Sequence, residues 1–162
     1  MTTPEQTIRQ LGLEVPPPAA PVGAYVPAVR AGNLVYTSGQ LPMSGGKLLA
    51  TGKVPADVSL EDARAAARQA ALNALAAVRG LLGTLDSVAR VVRVNVFVNS
   101  APGFTEQAKV ANGASELLQA IFGDAGRHTR CAIGAAELPL NAPVELDLIL
   151  EVRRTTPKPA TE

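Results

Sequence analysis

SLEDARAAARQAALNALAAVRGLLGTLDSVARVVRVNVFV (residues 59–98) changes its hydrophobic period once, and that change decides the fold. Leu60, Ala63, Ala67, Ala71, Leu75, Val78 and Leu82 recur three and four positions apart, the period of an amphipathic helix of about six turns. Ser59 with Asp62 three residues on resembles an N-terminal capping pair, and Gly83 stands where a left-handed C-terminal residue is needed. From Arg90 the period drops to two: Val92, Val94, Val96 and Val98 alternate with Val91, Arg93, Asn95 and Phe97. A strand with one aliphatic face is expected there.

Outward from this pair, Val110, Ala114, Leu117, Leu118 and Ile121 predict a second, shorter helix ending at Gly123. A strand is expected over 130–136, then a turn over 139–143. Val144, Leu146, Leu148, Leu150 and Val152 then line one face of a last strand, opposite Glu145, Asp147, Ile149 and Glu151. Upstream, Tyr25–Val29 and Asn33–Ser38 read as a hairpin about Ala31-Gly32-Asn33, and Ser44–Lys47 as another turn. The order β-β-α-β-α-β-β implies an α+β domain, with two helices on one face of a mixed sheet. Its other face mixes Arg93, Asn95, Glu145, Asp147 and Glu151 with Val91, Phe97 and Ile149, which suits either a solvated face or, with its interleaved apolar residues, an oligomer interface with polar clefts.

The N-terminus reads as an extension over residues 1–20. Thr3, Pro4 and Gln6 form a capping box on a short helix, and Pro16, Pro17, Pro18 and Pro21 make a stiff strap. The domain proper is expected over 21–153, with a flexible tail over 154–162. At 162 residues one core fits and two do not. With three Phe, two Tyr and no Trp, that core is built from Ala, Val and Leu.

Composition also excludes. A net charge of +1 offers no footprint for a polyanion, so neither nucleic acid nor a membrane surface is expected as a partner. One Cys and one His leave no disulfide framework and no metal site, and no cofactor is expected. The polar start lacks the apolar run of a signal peptide, so a cytoplasmic location is expected. No nucleophile elbow, Walker loop or dinucleotide fingerprint is present, and His128 and Cys131 are three apart, ill placed to share a proton. What remains is Arg130 ahead of the small or apolar run Cys131–Ala135, where a guanidinium can grip a carboxylate. Glu145, at the head of the polar face of the last strand, could orient a water. Both also read as ordinary surface charges.

Gly23-Ala24-Tyr25, the block Gly32–Pro42 with Ser38-Gly39-Gln40 at its centre, the strand 91–98, and the run Arg130 to Leu138-Pro139 to Val144-Glu145-Leu146 together resemble the reactive-intermediate deaminase (RidA/YjgF) family. The resemblance covers about 21–152. It implies a chorismate-mutase-like fold, a homotrimer packed through its sheets, and clefts between subunits. There, reactive 2-imino or 2-enamino acids are hydrolysed to 2-keto acids and ammonia. It also implies Arg130 as the carboxylate-binding arginine, Glu145 as the acid that places water, Tyr25 and Ser38 in the pocket, and Asn112 in the cleft, its spacing to Arg130 shifted by a residue. Where the family's deaminases place a cysteine and an acid after the arginine, this chain has Ala132 and Gly134. A trimeric protein that binds small carboxylates without turnover is the alternative, and endoribonuclease activity is disfavoured by the charge.

Overall fold

The computed structural model describes residues 2–21 and 23–153; the tail expected over 154–162 lies outside the described residues. The helix read from the period change is α2, Leu60–Leu82. Ser59 Oγ accepts from the Asp62 amide, and Gly83 closes the helix at φ +80°. Its inner face is nearly all alanine, with Ala63, Ala66, Ala67, Ala70, Ala71 and Ala74 fully buried. Such short side chains let α3, Gln107–Phe122, come very close. Gly113 of α3 packs on the Arg64 carbonyl so tightly that a Cβ there would lie 2.1 Å from its oxygen.

The two helices cover one face of a five-stranded sheet ordered β1-β2-β7-β5-β6: β1 Ala28–Ala31, β2 Leu34–Thr37, β5 Val88–Asn99, β6 Thr129–Ala135 and β7 Val144–Val152. The β5–β6 pair is parallel and the rest antiparallel, so the sheet is mixed. Beyond the expected order there is a two-stranded ribbon, β3 Met43–Ser44 and β4 Lys47–Leu48, turned by Gly45 and Gly46 at positive φ. The helix α1, Pro4–Gln10, carries the expected capping box. It packs back on the domain, where Glu5 accepts from the Leu85 amide and its own amide donates to Asp86.

Two readings need correction. The Tyr25–Val29 strand starts later, at Ala28, because Pro27 has no N–H to donate to the ladder; Tyr25 lies in the bend before it. In β5, strict alternation fails: the register with β7 skips Ala89 and Val92, two bulges. Val91 is thereby turned toward the helices and fully buried, and Val92 is displaced from the core face on which it was expected. Beyond the second bulge alternation resumes, with Val94, Val96 and Val98 buried against Leu148, Leu146 and Val144. Among the described residues no helix is long and apolar enough to cross a membrane.

Gly113→Ala is expected to push α2 and α3 apart and to lower stability by about 1–3 kcal/mol, the usual cost of overpacking. Urea unfolding reads this directly; an unchanged midpoint would refute the close-approach account.

Candidate functional site

Register decides which side of the sheet each candidate faces. Arg130 is opposite Val94, whose side chain is buried under the helices, so Arg130 rises on the helix side of the edge strand β6. There Nη1 donates to Asn112 Oδ1 at 2.8 Å and to Ser115 Oγ at 3.1 Å, both on α3. Residues 112 and 115 share a helix face, so one guanidinium nitrogen reaches both.

Ser115 is buried and also meets His128 Nε2 at 2.9 Å, while His128 Nδ1 lies 2.6 Å from the Gly126 carbonyl. A carbonyl only accepts, so Nδ1 carries the proton. Nε2 then accepts from the Ser115 hydroxyl, whose oxygen accepts from Arg130. Burial holds His128 below its usual pKa, against the Gly126 hydrogen bond and with the help of the Arg130 charge. A neutral imidazole is the form this chain of bonds needs. Among the described residues, no carboxylate forms an ion pair with Arg130, and its hydrogen bonds all leave from Nη1. Nε and Nη2 remain as donors for a ligand, beside a depression lined by Asn112, Ser115, Glu116, Gln119 and His128.

Glu145 stands on the other face. It pairs with Phe97, which in turn pairs with Ile133, and this row turns away from the helices. The carboxylate rests on Gly39, where a Cβ would fall 2.1 Å from Oε1. Gly39 is held there because the flanking Gln40 exchanges two backbone bonds with Leu146, at 2.7 and 3.1 Å. Ser38 Oγ donates to the Val26 carbonyl at 2.6 Å, and Tyr25 is half exposed just upstream. Burial raises the Glu145 pKa, and the charge of Asp147 on the same face raises it further. Asp147 is held by Asn95, which accepts in turn from Arg93.

The structure therefore sorts the expected residues into two groups. Arg130 and Asn112 meet under α3; Tyr25, Ser38 and Glu145 lie about Gly39 at the open face. Ser115 and His128 were not among the expected site residues. Their only trace in sequence is the spacing of Ser115 three after Asn112 and of His128 two before Arg130. Among the described residues, no three His, Cys, Asp or Glu side chains cluster closely enough to hold a metal ion.

Comparison with known proteins places the chain in a family. The family model described as "YjgF/chorismate mutase-like, putative endoribonuclease" matches residues 5–152, and the chain belongs to that family. Protein TCP17 of Trypanosoma cruzi is 46% identical over 146 residues, 90% of this chain and 91% of that protein. The 2-iminobutanoate/2-iminopropanoate deaminase of Escherichia coli K12 is 34% identical over 141 residues, 85% of this chain and 92% of its own length. Among solved structures, the protein Atu1372 of unknown function from Agrobacterium tumefaciens superposes with a TM-score of 0.86 at 46% identity, covering 93% of this chain and 92% of that one. E. coli TdcF with bound serine superposes with a TM-score of 0.59 at 27% identity, covering 87% and 96%.

The two shifted groups give opposite pH signatures. Folding depresses the His128 pKa, so the unfolded chain binds that proton more readily and stability falls as pH drops through about 6.5. Folding raises the Glu145 pKa, so its charge costs stability as pH climbs above about 4.5. Glu145→Gln is expected to be more stable than the parent at pH 7.5, with the gap closing toward pH 4. Denaturant unfolding at several pH values checks this, and a gap independent of pH would contradict it.

Proposed function

We propose that the chain hydrolyses reactive 2-imino and 2-enamino acids to 2-keto acids and ammonia, in clefts formed between copies of itself in a homotrimer. The single observation that carries this is the free fork of Arg130, anchored on one edge to α3 and unpaired on the other. Such a guanidinium, positioned but unsatisfied, suits a substrate carboxylate. The relatives named deaminases and the serine bound to TdcF support a small amino-acid-like ligand.

In this reading Arg130 and Asn112 of one copy hold the acid group. Glu145 of the next copy, with Tyr25 and Ser38, faces the imine carbon. Glu145 takes a proton from water as the oxygen adds to that carbon, and returns one to nitrogen. The hydroxyl proton of the resulting carbinolamine then passes through Glu145 to nitrogen as the C–N bond breaks, so that ammonia leaves and the carbonyl forms. A raised Glu145 pKa makes the carboxylate a stronger base, which favours taking the proton from water. Imines hydrolyse readily, so positioning and charge stabilisation supply most of what is asked of the protein.

The assay couples the protein to an amino-acid oxidase and follows trapping of the imine by semicarbazide. Faster loss of trappable imine is expected, and Arg130→Ala is expected to lower kcat/KM by about 100-fold, since a lost charge-assisted hydrogen bond costs about 2–3 kcal/mol. No effect on trapping with any imine would refute the reaction, and binding of keto acids without turnover would favour the carboxylate-binding alternative. Mixing inactive Arg130→Ala and Glu145→Gln subunits is expected to restore about a quarter of the activity, the share of interfaces in a random mixture with both groups intact. No recovery would place both groups in one chain.

A further inference from the structure

A cavity of about 630 Å³ adjoins the Glu145 end of the site, a volume typical of small-molecule pockets. The proline strap roofs it, Leu41, Met43 and Leu140 form its walls, and Gln69 and Asn73 of α2 lie at its floor. Tyr25 and Gly39 also line it, and Gly39 is the residue on which Glu145 rests. Among the described residues, none of the lining side chains carries a charge.

Each wall is held in place. Val15, just before the strap, is buried, and its carbonyl accepts from Arg79 Nη2 at 2.7 Å. Pro18 lies over Gly80, where a Cβ would come within 3.1 Å of its ring. On the other side Asn73 Nδ2 donates to the carbonyls of Leu41 and Met43, at 2.8 and 3.0 Å, and Oδ1 accepts from Gln69. Both amide protons of Asn73 are thus spent inside the wall. Leu140 sits at φ +56° with 69% of its surface exposed. A leucine is costly both in that backbone region and in water, and its neighbours hold it there: Asn99, fully buried, donates to Asn141 and Ala142.

From this we infer that the pocket takes the apolar side chain of the substrate acid, so that the chain selects 2-imino and 2-keto acids with bulky aliphatic or aromatic side chains. A methyl group leaves most of such a space empty. A branched four-carbon chain or a benzyl group fills it against proline and leucine. With no charge to pair against, an acidic or basic side chain would be desolvated without compensation and is excluded. The inference rests on the proposed site for the position of the carboxylate, but the size and polarity of the pocket are independent of the reaction.

Calorimetry of the full chain with pyruvate, 2-oxobutanoate, 4-methyl-2-oxopentanoate, 3-phenylpyruvate and 2-oxoglutarate tests it. Affinity is expected to rise about fourfold for each added buried methylene, with 2-oxoglutarate falling below the apolar acids of similar length. Ser44 is exposed on the β3–β4 ribbon and lines the cavity, so Ser44→Trp fills the space from a tolerant position. This variant is expected to lose the gain of the two bulky acids over pyruvate. Equal affinities across the series, or a gain that survives Ser44→Trp, would overturn the inference. The trapping assay run in parallel separates the two readings: a binding gradient without turnover of any imine sinks the deaminase and keeps the pocket, turnover with a flat series does the reverse, and no binding at all sinks both.

Discussion

Successive side chains along a strand point to opposite faces of a sheet, and this one constraint governs what the chain can do alone. Arg130 shares its face with Val94, and Glu145 shares the other with Phe97. No rotamer change carries either group through the sheet. A site that needs both the guanidinium and the carboxylate therefore requires the open face of one copy to meet the edge of another. The open face has the composition for such a contact, with Ile133 and Tyr36 exposed beside the Arg93-Asn95-Asp147 hydrogen-bonded row.

The helix layer gives the arginine its aim. Alanine-lined α2 lets α3 approach closely, and α3 presents Asn112 and Ser115 to the same nitrogen of Arg130. Behind Ser115, His128 supplies an acceptor only while it stays neutral, which its burial favours. Packing and protonation state thus converge on one side-chain orientation, with the remaining donors left for a ligand. The Glu145 carboxylate is placed differently. It depends on a glycine at position 39 that clears the space and on the Gln40–Leu146 bridge that holds the segment against β7.

Much of this was legible in the sequence because it is local. The Thr3–Gln6 and Ser59–Asp62 caps, the Gly83 terminus and the alternation of β7 each follow from residues within a few positions of one another. The residues that resemble the family's site could be named for the same reason, since they sit in compact blocks. What escaped depends on distant partners. The bulges at Ala89 and Val92 are set by pairing with β7, which reverses the expected burial of Val91 and Val92. Ser115 and His128 acquire meaning only once α3 is laid beside β6. The strap was legible as stiff proline-rich chain, but the cavity beside it is also lined by Leu41 and Met43, whose carbonyls Asn73 holds from α2. That Arg130 and Glu145 face apart could be worked out only from the register.

The central claim, that a catalytic cleft is completed by a second copy, is tested most directly by a crystal structure of the protein with a bound 2-keto acid. The account predicts the ligand carboxylate on Nε and Nη2 of Arg130 from one copy, with its keto carbon beside Glu145 and Gly39 of a neighbour. A ligand enclosed by a single chain, or bound away from Arg130, would contradict it.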